Sequence, residues 1–471
     1  MNVLFLNPPF KGSFNREVRF QAVSPQKALH PPIMLAYAAA VCEKEGHRVD
    51  LIDSPALDMG MEETLQHAVK FAPDLIVLLT STASVKSDGE FAKKLKKATG
   101  AKTVAVGVHA SSMPEDTLKK GFDIIARGEY ENTIKDLAAG KKLPKILGIT
   151  FKEKGKVKSN KPRPLMHNLD ELPFPARKFL PNEKYYSAIY KNPFTFVLAG
   201  RGCPFQCIFC SLPQVMSGRG YRMRSPQNVV AELEQIKKDF PQLKSILFND
   251  DTLNVNKKHL KELCDLIIEK NISLPWGCYS RVDTIDEESA IIMKKAGCYL
   301  VKIGFESGND QILKNMKKGT TTGQARTAVK IFKKAGIQIH GTFVFGMPGE
   351  TKETIQQTID FAKELNVDFV QFSVAQPYPG TEFYNYLKKN KLLEFKEWED
   401  YLDDEGCITP IFEYPNLKKE EMEAMLKKAY KNYYFRPAYI LKAIGQRLTN
   451  AELRKTSFRS GKNLIKYVFE K

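Results

Sequence analysis

The sequence predicts an α/β protein: an N-terminal doubly wound parallel sheet, then a partial (β/α)6 barrel, then a helical C-terminal extension. Three observations predict it. Short apolar runs alternate with amphipathic stretches along most of the chain, the pattern of strands buried on both faces beneath covering helices. A stretch rich in Lys and Pro at 151–190 interrupts that alternation once, as a linker would. The 471 residues also exceed what a single core ordinarily serves, so two or three domains are expected.

In residues 1–150, strands are expected at Val3–Leu6, Arg48–Ile52, Asp74–Leu79, Thr103–Val106 and Asp123–Ala126. Helices fall between them, as at Pro32–Glu45 and Met61–Phe71; the first stops at a cationic turn followed by Gly46. Such sheets bind ligands beyond the carboxyl ends of their strands. Those ends carry Thr80, Ser81, Thr82 and Ser84 after the third strand, Gly107 and His109 after the fourth, and Arg127 and Glu129 after the fifth. Small hydroxyl residues and glycines let backbone come close to a large ligand.

Residues 151–190 read as a connector restricted by Pro162, Pro164, Pro173, Pro175 and Pro181. Residues 191–390 resume the alternation, with strands expected at Phe194–Ala199, Ser245–Phe248, Trp276–Tyr279, Leu300–Phe305, Gln338–Phe345 and Phe369–Val374. Helices are expected at Gln227–Lys238, Lys257–Glu269 and Thr321–Lys334. Barrels place their chemistry at the carboxyl ends of strands, and here those ends carry Asp250 and Asp251, Arg281, then Glu306 and Ser307. A zwitterionic ligand needs carboxylates for its ammonium and a cation or hydroxyl for its carboxylate. The same residue types also serve as plain helix caps.

The strongest signal is Arg201-Gly-Cys-Pro-Phe-Gln-Cys-Ile-Phe-Cys210, directly after the first barrel strand. Cys203, Cys207 and Cys210 form a C-x3-C-x2-C run. Three thiolates on one loop can each hold one iron of a [4Fe–4S] cluster and leave the fourth iron open. A zinc knuckle would close with a fourth Cys or His nearby, yet none follows before His259 and Cys264. The other five of the eight cysteines are scattered and are expected as small apolar residues in a reducing compartment.

With 43% hydrophobic and 27% charged residues the chain is globular rather than disordered. It contains no apolar run of membrane-spanning length and no signal-peptide pattern at its start, so a cytoplasmic location is expected. The formal charge of +18 favours acidic partners, although much of the lysine will be solvated surface.

C-x3-C-x2-C after a first strand, with Phe209 before the last Cys, resembles the radical S-adenosylmethionine enzymes. The resemblance implies that the open iron chelates S-adenosylmethionine, that one-electron cleavage gives a 5′-deoxyadenosyl radical, and that Phe209 lies by the adenine. The segments V-G-V-H-A-S and R-G-E-x-E, with D-E-L-P-F-P-A in the connector, resemble the cobalamin-dependent class of that family. Thr80, Ser81, Thr82, Ser84, Gly107, His109, Arg127 and Glu129 would then border cobalamin. The motif that supplies cobalt with a protein imidazole is absent, since Asn7-Pro-Pro-Phe-Lys-Gly12 occupies its place. K-I-G-F-E-S-G-N-D and G-T-F-V-F-G-M-P-G-E-T resemble the same class, which puts Asp250, Asp251, Arg281, Glu306 and Ser307 near S-adenosylmethionine.

Cys203–Ser225 looks most like members acting on hopanoid or other lipid substrates. The implied activity is modification of an unactivated carbon of a lipid-type or sugar-lipid molecule, by methylation, cyclisation or ring contraction. A flavodoxin- or ferredoxin-type electron donor is implied. A tRNA-modifying methylthiotransferase is the rival enzyme, but no second cysteine triad and no RNA-binding appendage is present, so nucleic acid is not expected. A corrinoid carrier or sensor would not need a whole barrel. Residues 391–471 carry interleaved aromatic and basic residues from Tyr430 onward. They are expected either to lie on an anionic membrane face or to cover the open edge of the barrel.

Overall fold

The computed structural model describes residues 1–24, 26–437 and 439–441. The first sheet holds β1 (Asn2–Asn7), β2 (Arg48–Asp53), β3 (Leu75–Leu79), β4 (Lys102–Val106), β5 (Ile124–Ala126), β6 (Ile149–Glu153) and β7 (Lys156–Ser159). Their order is β2-β1-β3-β4-β5-β6-β7. The first five run parallel, and each is one of the expected strands. β3 is buried at every position, as a strand covered on both faces must be.

β6 and β7 correct the sequence reading, which ended the sheet at five strands and began the connector at 151. They form an antiparallel hairpin on the edge of β5. The turn between them holds Lys154 and Gly155 at φ 49° and 77°, the twist that two-residue hairpins favour. β7 is exposed throughout, so it carries no apolar periodicity to read.

The second sheet holds β8 (Phe194–Val197), then, after the short antiparallel ribbon β9 (Gly200–Arg201) and β10 (Arg222–Met223), the strands β11 (Ser245–Phe248), β12 (Trp276–Ser280), β13 (Cys298–Glu306), β14 (Gln338–Phe345) and β15 (Phe369–Val374). The six long strands run parallel in the order β15-β14-β13-β12-β11-β8. This is the expected partial barrel. Helices follow the strands; Ser225, Asn256 and Thr321 each start one by accepting a backbone N–H. Val301, Ile303 and Phe305 pack under these helices with Ala328, Phe332 and Ile359. Leu300 and Leu247 turn the opposite way, into a core shared with Tyr185, Phe196 and the N-terminal half. The concave face of the barrel is therefore turned toward the first sheet.

The rest of the connector is a strap rather than a free linker. Arg177 donates to Glu232 at 2.5 Å and to the Phe196 carbonyl at 2.6 Å. The Tyr185 hydroxyl donates to Asp53 at 2.9 Å, so one strap grips both sheets.

The C-terminal aromatic residues cover the barrel edge. The helix Lys419–Tyr434 lies along β15, where the Tyr434 hydroxyl accepts from Val370 N at 2.9 Å and donates to Val370 O at 2.6 Å. Tyr430 does the same at Phe372, at 3.2 and 2.9 Å. The unpaired backbone of an edge strand, which would otherwise recruit another chain, is thereby occupied. This replaces the membrane reading for Tyr430–Tyr439; the basic residues from Lys442 onward lie outside the described residues. Among the described residues no helix is long and apolar enough to cross a membrane.

A candidate active site between the two sheets

The carboxyl ends of both sheets open onto one cleft, enclosing about 1050 Å³ of space free of protein atoms, solvent at its mouth included. Asn7, Thr80, Gly107 and Glu129 reach it from β1, β3, β4 and β5. Gly200, Arg201, Ser217 and Asp251 reach it from the barrel side. Met34, Leu79, Leu198 and Met216 make much of its wall apolar, as ligand sites generally are.

The cysteine loop borders this cleft through the turns that follow it. Cys207 is buried, Cys203 and Cys210 are half-buried, and all three are free thiols. Gly202 makes the loop's entry possible: at φ 95° a Cβ there would lie 2.0 Å from the Gly220 carbonyl. Gln214 ties the loop down by donating to the Cys210 and Ile208 carbonyls at 2.7 and 3.1 Å. Burial raises the Cys203 thiol, and raises that of Cys210 to about 12. Such thiols ionise when a metal takes their proton's place. Among the described residues no three His, Cys, Asp or Glu side chains gather as ligands of a single metal ion. A cluster asks for one thiolate per iron, which fits this donor set.

Of the barrel residues expected at the site, Asp251 faces the cleft, paired with Arg19 at 2.8 Å and accepting from Ser217 at 3.2 Å. Arg281 stacks on Phe205 at 3.5 Å, with Nη1 4.0 Å from Cys207 Sγ. It is held there by Asp283 and by the Lys318 carbonyl, at 2.9 and 2.8 Å. Glu306 sits at φ 65°, an uncommon conformation for a residue with a side chain, and takes the Lys318 ammonium at 2.8 Å.

The remaining three do other work. Asp250 is a fully buried bolt that accepts from Ala199 N at 3.0 Å and the Tyr221 hydroxyl at 3.1 Å. Burial pushes its carboxyl up to about 7. Ser307 bonds Thr358 at 3.1 Å inside the turn before the next helix. Phe209 packs partly buried against the helix-side core.

On the cobalamin-like side, Thr80, Gly107 and Glu129 line the cleft, but others do not. Ser81 and Ser84 bond each other at 2.7 Å, and Ser84 joins a buried network with Asp88 and Arg16. Thr82 donates its backbone N–H to Gln21 at 2.8 Å. His109 turns away, because the short helix Val108–Ser112 aims its ring at Asp116, 3.2 Å away, and at the edge of Trp398. Burial holds that imidazole below its usual range. Arg127 braces the hairpin by donating to the Ile149 and Asn160 carbonyls.

The R-G-E-x-E acids meet arginines of the β9–β10 ribbon. Glu129 forms a bidentate pair with Arg222 at 2.5 and 3.0 Å, and Glu131 pairs with Arg201 at 2.7 Å. The Tyr130 hydroxyl between them is buried at the cleft and has no hydrogen-bond partner among the described residues. Buried polar atoms are rarely left so, and this orphan fits a polar ligand in the cleft.

Arg16, Glu17, Arg19 and His30 were not among the expected site residues, yet all line the cleft. They sit on the connection from β1 to the helix Ile33–Lys44, far longer than the roughly 2–6 residues usual for a βα loop. That length was the available signal.

Residues 197–362 match the sequence model of the Radical SAM superfamily, and residues 23–138 that of the B12 binding domain. An uncharacterized methyltransferase of Pyrococcus horikoshii is 36% identical over 452 residues, 94% of this chain and 95% of that protein. The anaerobic magnesium-protoporphyrin IX monomethyl ester cyclase of Rubrivivax gelatinosus is 26% identical over 87% of this chain and 75% of its own. In fold, the chain is similar to the radical S-adenosylmethionine methyltransferase TsrM of Kitasatospora setae, solved with cobalamin and a [4Fe–4S] cluster. The TM-score is 0.72 at 18% identity, covering 98% of this chain and 99% of that one.

Proposed function

The chain belongs to the cobalamin-dependent radical S-adenosylmethionine enzymes, and from that premise we propose that it methylates an unactivated carbon of a small molecule with an apolar body. It is an enzyme whose cofactors are a [4Fe–4S] cluster, S-adenosylmethionine and cobalamin. Together, when bound, these supply one-electron hydrogen abstraction and a transferable methyl group.

The observation that carries the proposal is the single cleft that collects the strand ends of both sheets beside the cysteine loop. Cys203, Cys207 and Cys210 hold the cluster, with Arg281 placing positive charge beside Cys207. Asp251 and Glu306 serve the polar ends of S-adenosylmethionine. Thr80, Gly107, Glu129 and Tyr130 border the corrin. The apolar wall of Met34, Leu79, Leu198 and Met216 keeps water from the reacting carbon and accepts an apolar substrate.

Methyl transfer is supported by the Pyrococcus relative, whose name is that of a methyltransferase. The lipid-type or sugar-lipid substrate rests on the Cys203–Ser225 resemblance and agrees with that wall. Carbon–carbon ring closure is the second reading, favoured by the Rubrivivax cyclase. An acidic flavodoxin or ferredoxin is the reductant proposed for a chain of net charge +18.

The test is anaerobic reconstitution with iron, sulfide and cobalamin, followed by assay for 5′-deoxyadenosine. Extracts of cells with and without the gene are then compared for a product heavier by one CH2 unit. A loss of mass as hydrogen in place of that gain would favour ring closure.

A further inference from the structure

β12, β13 and β14 run in register so that Tyr279, Lys302 and His340 stand side by side on neighbouring strands. Laterally paired residues share a face of the sheet. Lys302 lies two residues from Leu300, so the row is on the concave face turned toward the first sheet and not on the helix-packed one. Lys302 Nζ donates to the Tyr279 hydroxyl at 3.0 Å and lies 4.6 Å from the centre of that ring. Arg19, on the cleft wall, stacks on the same ring at 4.3 Å. The Tyr190 ring is 5.9 Å from the ammonium.

The charges here are unequally answered. Arg19 is paired with Asp251 at 2.8 Å; Glu17 contacts His30 at 2.8 Å and feels the Lys302 and Arg19 charges at longer range. Among the described residues, no carboxylate lies within ion-pair distance of Lys302, whose hydrogen bond goes to Tyr279. The Tyr190 hydroxyl and His340 Nδ1 are buried beside it and have no hydrogen-bond partner among the described residues. Burial and the Lys302 charge hold His340 well below its usual range, so its ring is neutral and can still donate one N–H. A half-buried ammonium flanked by two unsatisfied buried groups costs free energy unless a ligand completes the set.

We infer that this row anchors the substrate through an anionic group, a carboxylate or phosphate, with Lys302 as the specificity-determining cation and Tyr190 and His340 as flanking donors. This rests on the reading of the cleft as the active site. An anion gives Lys302 the direct, charge-assisted pair that Glu17, at longer range, does not. An amine would meet the repulsion of Lys302, and a neutral group would leave it without an ion pair.

The full-length protein, reconstituted with iron, sulfide and cobalamin, is titrated by calorimetry with hexanoate, benzoate and phenyl phosphate, and with hexanamide, benzamide and phenol. Lys302→Gln and Lys302→Arg are titrated alongside, with cluster and corrin absorbance as the check on folding. Lys302→Met replaces the Gln variant should that one lose corrin. At least one anion is expected to bind roughly tenfold tighter than its neutral counterpart, a preference lost in Lys302→Gln and kept in Lys302→Arg. Which probe shows it separates carboxylate from phosphate. No preference in the wild type, or an equal preference in Lys302→Gln, overturns the inference. Failure of the active-site reading is distinct: wild-type protein would then form no 5′-deoxyadenosine, whatever the anions do.

Discussion

Glu129, just beyond β5, and Arg222, on β10, form a bidentate pair at 2.5 and 3.0 Å that joins the first sheet to the β9–β10 ribbon beside the cleft. Both side chains are about one-tenth exposed. Arg222 also donates to the Met166 and Ser217 carbonyls, so the pair locks sheet, strap and cysteine-loop turn together. Removing one partner of such a pair strands a buried charge, at a cost of roughly 3 kcal/mol. Glu129→Ala is expected to lower the corrin retained through gel filtration several-fold, with cluster absorbance preserved. The reversed pair, Glu129→Arg with Arg222→Glu, recovers part of that retention.

Gly202 and Gly220 make a matched test of the cysteine loop. A Cβ at Gly202 would lie 2.0 Å from the Gly220 carbonyl, whereas one at Gly220 would meet nothing within 4 Å. Gly202→Ala therefore opens the β9–β10 ribbon and cuts iron and sulfide content, while Gly220→Ala leaves both at the wild-type level. Iron and acid-labile sulfide assays on reconstituted protein read the difference.

Asp250 gives the fold a pH dependence of definite sign. Its carboxyl ionises near 3.8 when unfolded and only near about 7 in the fold, because of burial first and Asp251 second. Between those values the folded state keeps a proton that the unfolded chain has lost. Its contribution to stability is thus greatest at low pH, falls as pH rises from about 4 to about 7, and stays low above that. Asp53, raised to about 6 by burial, acts in the same direction. Asp250→Asn keeps an acceptor for Ala199 N and is expected to narrow the Tm gap between pH 5 and pH 8. A gap as wide as that of the wild type would remove Asp250 from the account.

The edge strand β15 depends on tyrosine hydroxyls. Each of Tyr430 and Tyr434 both accepts from and donates to one residue of the strand. Replacing both by Phe removes these bonds, at about 1 kcal/mol for each one lost, and bares the strand. A lower Tm and an earlier onset of light scattering are expected. Tyr386→Phe, on an exposed side chain, changes neither.

Most of the fold could be read from the sequence because its strands carry apolar runs and the helices of the barrel half carry side-chain caps. β14 and β15 lie where the apolar runs Gln338–Phe345 and Phe369–Val374 put them. β7 escaped because Lys156–Ser159 is short and exposed at every position, held by its turn and its pairing with β6. At the site, covalent spacing marked Cys203, Cys207 and Cys210 as one candidate ligand set, since three cysteines on one loop need no tertiary information to be seen together. Ser81, Ser84, His109 and Ser307 sit at the right strand ends yet point into local networks, because side-chain direction follows the short helices and turns there. Arg19 lies in a long irregular connection outside every motif, and Lys302, although it opens the K-I-G-F-E-S-G-N-D segment, shows its place only when three strands are set in register.

The most direct test is 5′-deoxyadenosine formation by anaerobically reconstituted protein supplied with S-adenosylmethionine and a one-electron reductant, wild type against Cys207→Ala. The account predicts steady release from the wild type and none from the variant, which lacks one of the three proposed cluster ligands. Equal release from both, or zinc in place of iron in the wild type, would contradict it.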